Sequence, residues 1–170
     1  MDLKRYIRDI PDFPKPGILF KDITPLLQAP DAFSYVIEEF ATYTAAKNID
    51  AVVAIDARGF LFGSALAHVL RKPLVPVRKQ GKLPAETNSV SYALEYGTDT
   101  IEVHKDGVRE GDRVVIVDDL LATGGTVAAA CKLVEQSGGI IAGVLLVIDL
   151  KDLNGRGKLQ GYDILSLIDF

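Results

Sequence analysis

The stretch VVIVDDLLATGGTVAAA, residues 114–130, changes character three times and decides the fold. A continuous apolar run ends on Asp118 and Asp119, a glycine-containing turn follows, and a helix-like segment comes next. Continuous Val- and Ile-rich runs are typical of strands that are buried on both faces of a parallel sheet. The stretch therefore predicts a strand–turn–helix unit of an α/β domain.

Similar apolar runs recur along the chain, as AVVAID (51–56), PLVPV (73–77) and GVLLVID (143–149). The spacing of one apolar helix face recurs between the runs, in Phe33, Val36, Ile37 and Phe40 and in Val127, Ala130, Cys131 and Val134. Alternating strands and helices predict an α/β fold with a central, mainly parallel sheet flanked by helices.

Length and composition fit a single domain over residues 1–170, with 48% hydrophobic and 25% charged residues. A net charge of -4 argues against a nucleic-acid binder. Cys131 is the only cysteine, so an internal disulfide framework is excluded. The charged N-terminus has no signal-peptide core, and no apolar stretch approaches the roughly 20 residues that span a bilayer. We therefore expect a cytoplasmic protein without a membrane segment.

Two segments do not fit the alternation of strands and helices. Residues 9–27 contain four prolines, so we expect no regular element there but a hood, roughly residues 1–30 plus the C-terminal tail. That tail, YDILSLIDF (162–170), alternates enough to be a final strand. Residues 78–112 are polar, and an insertion of this length is usually functional, so we predict a flexible lid over roughly residues 78–100.

The turn from Thr123 to Thr126 resembles an anion site, because glycines permit close approach and a helix N-terminus favours phosphate. A turn with a helix cap is the alternative for this segment taken alone. Asp118 and Asp119 precede it on opposite faces of a strand, so at least one should face the cleft at the strand ends. Their carboxylates suit sugar hydroxyls or positive charge on a sugar ring, and a metal-binding pair is the alternative. Together the two features predict a ribose 5-phosphate ligand.

Five separated motifs resemble the adenine phosphoribosyltransferases of the type I phosphoribosyltransferase family: DFPKPGILFKDITPLL, DARGFLFGSALA, VPVRKQGKLP, LEYGTDTIEVH and VVIVDDLLATGGT. They follow one another in order over nearly the full length. The resemblance implies purine salvage by a homodimer, in which adenine and phosphoribosyl pyrophosphate give AMP and pyrophosphate. It also implies Mg²⁺, chelated by substrate oxygens and contacted by the protein mainly through water.

The resemblance further implies residue roles around the phosphoribosyl group. The 5-phosphate would be cradled by Ala122, Thr123, Gly124, Gly125 and Thr126, and the ribose would face Asp118 and Asp119. Ala57 and Arg58 belong to the implied pyrophosphate loop. In the lid, Arg78, Lys79 and Lys82 supply positive charge near the leaving pyrophosphate.

The remaining implied roles concern the base. Glu95 and Tyr96 close over the reacting centre, and Glu95 assists proton removal from the purine. Phe20 packs against the purine while main-chain groups of Leu19 and Lys21 read its edge, and Leu150 lines the opposite wall. Lys21 departs from the arginine common in the family, which puts any side-chain role there in doubt.

Two other functions remain possible from the sequence. A transferase for a 6-oxopurine would share most motifs but not the hood motif. A non-catalytic regulator that senses a nucleotide or phosphoribosyl pyrophosphate would share the fold, although the acidic charge disfavours nucleic-acid partners.

Overall fold

A computed structural model of the protein describes residues 1–93 and 97–170. The chain forms two compact units, Met1–Glu39 and Phe40–Phe170. Among the helices of these residues, none is both long enough and apolar enough to cross a membrane.

The first unit contains a 3-10 turn at Leu3–Tyr6, strands β1 (Arg8–Ile10) and β2 (Phe20–Asp22), helix α1 (Thr24–Gln28) and most of helix α2 (Pro30–Thr44). The expectation that residues 9–27 hold no regular element is therefore wrong. Pro25 lies at the start of α1, where a missing N–H is tolerated, so the proline does not prevent the helix.

Strands β1 and β2 pair antiparallel, and two ion pairs join them. Arg8 Nη2 lies 2.6 Å from Asp22 Oδ2, and Lys21 Nζ lies 2.7 Å from Asp9 Oδ1. The residues of each ion pair are also register partners. The Phe20 ring meets the ring of Phe13 edge-on, with centroids 5.1 Å apart.

The second unit is built on a seven-stranded sheet. Its strands are β3 (Ala51–Ile55), β4 (Leu74–Lys79), β5 (Thr87–Ala93), β6 (Thr98–His104), β7 (Arg113–Leu121), β8 (Ile140–Asp149) and β9 (Ile164–Asp169). They are ordered β5-β6-β4-β3-β7-β8-β9, and the five strands from β4 to β9 in that order are parallel. Helices α3 (Gly59–Leu70) and α4 (Gly125–Gln136) complete the α/β architecture that the sequence predicts.

The core of this unit follows the apolar runs. All five residues of β3 are buried, as are Val114–Val117 of β7 and Val144–Ile148 of β8. The predicted apolar face of α4 is buried too. Burial on both sheet faces explains why these strands are continuous rather than alternating.

Strands β5 and β6 occupy the segment that the sequence assigned to a lid. They pair antiparallel, and β6 continues the sheet beside β4 through Arg78–Glu102 and Lys79–Ile101. At the other edge, β9 pairs parallel with β8, which confirms the predicted final strand.

Candidate active site

A cavity of about 520 Å³ opens at the carboxyl ends of β3, β4 and β7. It is lined by Ile55, Asp56, Ala57, Arg58, Val77, Arg78, Lys79, Tyr92, Asp99, Ile101, Asp118, Asp119 and Thr126. Seven residues with a predicted role are therefore brought together here, namely Ala57, Arg58, Arg78, Lys79, Asp118, Asp119 and Thr126. The location is the one at which open parallel sheets bind ligands.

Asp118 and Asp119 both line the cavity, although neighbouring residues of a strand such as β7 point to opposite faces. The backbone N–H of Asp119 donates to Asp118 Oδ1 at 2.9 Å. Asp119 is only 3% exposed, and its Oδ2 lies 3.0 Å from Arg58 Nε without a well-formed hydrogen bond. A buried carboxylate oxygen thus faces a cation within the cavity.

The two carboxyl groups shift each other's titration. Burial raises the pKa of Asp118 well above its usual value, and the negative charge of Asp119 adds to the rise. Burial also raises the pKa of Asp119, while the guanidinium of Arg58 opposes that rise. A ligand that brings hydroxyl donors or positive charge would therefore stabilise the ionised form of the pair.

A smaller pocket of about 60 Å³ is lined by the backbone turn from Leu121 to Val127. Gly124, at φ +79°, is the N-cap of α4, so the first N–H groups of that helix open toward the turn. Thr126 lines both cavities, and its hydroxyl donates to the Tyr92 hydroxyl at 3.1 Å. Residues Ala122–Thr126 thus form one concave turn suited to an anion.

The basic residues of the site pair with acids. Arg78 Nε lies 2.9 Å from Asp56 Oδ2, and Lys79 Nζ lies 2.9 Å from Asp99 Oδ2. The hydrogen bond with Asp99 raises the pKa of Lys79, and the same bond lowers the pKa of Asp99. Ligand phosphates would compete with these carboxylates for the cations.

Three polar lining residues had no predicted role, namely Asp56, Tyr92 and Asp99. Asp56 follows β3 directly, and its position at a strand end could have identified it. Tyr92 and Asp99 lie on strands of the polar segment, where no apolar run marks a strand end. Nothing in the sequence alone connects them to the glycine turn.

The other predicted residues lie elsewhere. Leu19, Phe20 and Lys21 belong to the first unit, where Leu19 is 50% exposed. Leu150 is not among the residues that line the two cavities, but its N–H donates to Leu121 O at 2.9 Å, beside the turn. Glu95 and Tyr96 lie outside the described residues.

Comparisons with known proteins agree with this geometry. The family model of the phosphoribosyl transferase domain matches residues 26–164. An adenine phosphoribosyltransferase of Clostridium kluyveri is 55% identical over 170 residues, which cover 100% of this chain and 99% of that protein. One of Thermoanaerobacter pseudethanolicus is 59% identical, with coverages of 99% and 98%.

Solved structures give the same result. The crystal structure of the adenine phosphoribosyltransferase from Thermoanaerobacter pseudethanolicus superposes with a TM-score of 0.96 at 58% identity, covering 99% of this chain and 98% of that one. The Saccharomyces cerevisiae adenine phosphoribosyltransferase, in complex with D-2,5-dideoxy-2,5-imino-altritol 1,6-bisphosphate and adenine, gives a TM-score of 0.93 at 40% identity, with coverages of 98% and 96%.

Proposed function

This chain belongs to the adenine phosphoribosyltransferase branch of the phosphoribosyltransferase family, and on that premise we propose how its residues perform the reaction. Phosphoribosyl pyrophosphate and adenine give AMP and pyrophosphate. The observation that supports the assignment most directly is that Thr126 lines both the cavity of the aspartate pair and the smaller pocket of the anion turn. A ribose 5-phosphate carries hydroxyls for the aspartates and a phosphate for the turn in one molecule.

The turn from Ala122 to Thr126 binds the 5-phosphate. Its support is the positive φ of Gly124 and the N-terminus of α4, whose N–H groups are free of intrahelical partners by geometry. Thr123 and Thr126 add hydroxyl donors. Phosphate binding would draw the Thr126 hydroxyl away from Tyr92, which couples the turn to β5.

Asp118 and Asp119 bind the ribose and stabilise positive charge that develops on the sugar ring as the bond to pyrophosphate breaks. Carboxylates in a poorly solvated position act most strongly on a nearby charge, and burial is the main cause of the raised pKa of both. Their contribution is therefore largest in the transition state, where the ring is most cationic.

Ala57, Arg58 and Lys79 bind the pyrophosphate, together with Arg78. Each of the three cations now contacts a carboxylate, so binding is an exchange of partners rather than the filling of a vacant site. When Arg58 turns to phosphate, it releases Asp119 toward the ribose. Arginine suits this role because its guanidinium can bind two phosphate oxygens at once.

Mg²⁺ would be held by substrate oxygens, and the protein would contact it mainly through water. Among residues 1–93 and 97–170, no group of three or more His, Cys, Asp or Glu side chains could hold a metal ion. The hard oxygens of Asp118 and Asp119 nevertheless fit Mg²⁺ or the waters of its shell. When bound, the ion would neutralise charge on the leaving pyrophosphate.

For the base we propose the roles that the resemblance implies. Phe20 stacks on adenine, backbone groups of Leu19 and Lys21 read its edge, and Leu150 lines the opposite wall. Glu95 assists proton removal and Tyr96 helps to close the lid. The Lys21 side chain pairs with Asp9, which supports a backbone rather than a side-chain role at this position.

We propose a cytoplasmic homodimer as the working form. Helix α3 and the start of β4 expose the large apolar side chains of Leu61, Val69 and Leu74, at 42%, 57% and 38%. A second copy of the chain would bury such side chains. Sedimentation equilibrium with Val69→Asp tests the dimer, because a monomeric variant supports this surface and an unchanged dimer contradicts it.

The experiment for the reaction is a purine panel with phosphoribosyl pyrophosphate, with and without Mg²⁺. We expect Mg²⁺-dependent release of pyrophosphate with adenine and a far lower kcat/KM with hypoxanthine, guanine or xanthine. Equal turnover of a 6-oxopurine would contradict adenine selectivity, and no turnover with any purine would overturn the enzyme assignment.

A further inference from the structure

Beside the anion turn lies an ionic cluster around one buried carboxylate that the proposed reaction does not use. Asp149, the last residue of β8, is 1% exposed. Its Oδ2 accepts from Arg156 Nε at 2.6 Å and from Lys151 Nζ at 2.7 Å. Arg156 Nη2 also donates to Ser166 Oγ of β9 at 2.7 Å. Arg156 thus joins the segment after β8 to the last residue of β8 and to the middle of β9.

A buried carboxylate needs such partners. Burial by itself would raise the pKa of Asp149, but the hydrogen bonds from Arg156 and Lys151 outweigh burial and lower it. Asp149 is therefore charged at neutral pH, and the loss of Arg156 would leave a buried charge poorly compensated.

The residue next to Arg156 lies directly against the anion turn. Gly155 is buried, and a Cβ placed on it would clash with Ala122 O, would come within 2.8 Å of Leu121 Cγ and would lie 3.1 Å from Gly124 N. A Cβ placed on Gly124 would in turn clash with Gly155 O. The two backbones touch at the residues that form the phosphate pocket, so the position of one fixes the position of the other.

We infer that the Asp149–Arg156 pair is a positioning device for the 5-phosphate: it holds Gly155 against the turn and so sets the shape of the Ala122–Thr126 pocket. Neither side chain lines that pocket. The inference rests on the proposed phosphate role of the turn. Arg156 is a positioning residue and not a catalytic one, since it acts through the backbone of Gly155.

The test compares AMP with adenosine, which differ only in the 5-phosphate. In the full-length protein, Arg156→Lys keeps the charge but loses the fork that reaches both Asp149 and Ser166. We expect its affinity for AMP to fall by about 10-fold or more, as for a lost hydrogen bond to a charged group, with adenosine affinity nearly unchanged. KM for phosphoribosyl pyrophosphate should rise while KM for adenine stays constant.

Lys47→Met is the matched control. It breaks another ion pair of the same unit, in which Lys47 Nζ lies 2.6 Å from Asp163 Oδ2, away from the turn. General destabilisation would lower AMP and adenosine binding together in either variant. The measured quantity is the affinity for AMP divided by the affinity for adenosine. The inference is supported if only Arg156→Lys lowers this ratio. It is overturned if Arg156→Lys leaves the ratio unchanged or if Lys47→Met lowers it equally.

Two further variants complete the design. If Arg156→Lys does not fold, Ser166→Ala is the substitute, because it removes one acceptor of Arg156. It should lower the ratio of AMP affinity to adenosine affinity by about 3-fold, which is near the smallest effect expected for the loss of a single hydrogen bond. Thr123→Val tests the turn itself. If Thr123→Val leaves the ratio of AMP affinity to adenosine affinity unchanged, the phosphate assignment is contradicted. If Thr123→Val lowers this ratio and Arg156→Lys does not, only the positioning inference is overturned.

Discussion

Replacing Gly59 with alanine should damage catalysis beyond its effect on stability. Gly59 begins α3 directly beside the end of β7, and a Cβ built on it would lie 2.7 Å from Val117 O and 3.1 Å from Asp118 Oδ1. An ordinary Cβ contact is 3.4 Å or longer, so the first distance is short by 0.7 Å. The backbone oxygen cannot rotate away, so α3 and the strand end that carries Asp118 must separate.

Two opposing effects set the size of the stability change. Overpacking costs roughly 1–3 kcal/mol. Replacing glycine gains about 0.4–1 kcal/mol through the unfolded chain. The cost of the clash is the larger effect, so we expect the free energy of unfolding to fall by about 1–2 kcal/mol. This lowers Tm by roughly 2–8 °C for a chain of this size. A shift of several tenths of an ångström at Asp118 should also lower kcat by about tenfold or more.

Gly63→Ala is the matched control because it lies on the same helix and creates a comparable clash, 2.5 Å from Ala54 Cβ, while its nearest atoms belong to Ala54 and Leu74 and not to the strand of the aspartates. Thermal unfolding gives the stability of both variants, and initial rates of pyrophosphate release give kcat per folded molecule. Both variants should lose stability, and only Gly59→Ala should lose kcat. Equal kcat in the two variants would refute the link between Gly59 and the position of Asp118.

Four shorter predictions follow from the same unit. Asp118→Asn and Asp119→Asn should lower kcat more than they weaken AMP binding, measured by calorimetry, and equal losses would indicate uniform binding instead. Burial raises the pKa of Asp118, so the protonated form that suits the folded state is lost as pH rises. In denaturant titrations, the free energy of unfolding of Asp118→Asn should therefore exceed that of the parent by more at pH 8 than at pH 4. The same difference at both pH values would argue against a buried charge. Tyr92→Phe removes the acceptor of the Thr126 hydroxyl and should change KM for phosphoribosyl pyrophosphate without changing KM for adenine, whereas an equal change in both would argue against this coupling. Burial raises the pKa of Cys131 to about 12, so a thiol reagent at pH 8 should label the unfolded chain and not the native one, and rapid native labelling would contradict the buried position.

The sheet could be predicted because its central strands are buried on both faces. The runs at 51–56 and 143–149 are apolar for that reason, and they correspond to β3 and β8. Strand β5 was not recognised as part of the sheet, since only Val90 among its residues is buried. An edge strand with few buried residues gives too weak an apolar pattern to distinguish it from a polar loop.

The candidate site was predictable where its residues are adjacent in sequence. Asp118 and the turn after it are separated by a few residues, so their chemistry can be interpreted together. The partners of the cations could not be predicted, because Arg58 and Asp119 meet only after β3 and β7 pair. The same holds for Lys79 and Asp99, which are brought together by the antiparallel pairing of β6 with β4.

The charges that line the large cavity do not favour a bare polyanion. The four carboxylates of Asp56, Asp99, Asp118 and Asp119 face three cations, Arg58, Arg78 and Lys79, so these side chains sum to minus one when all are ionised. A substrate that arrives with its own divalent cation meets much less repulsion than the same molecule without one. We therefore expect a polyanion without a metal ion to bind this cavity more weakly than the same polyanion with its divalent cation.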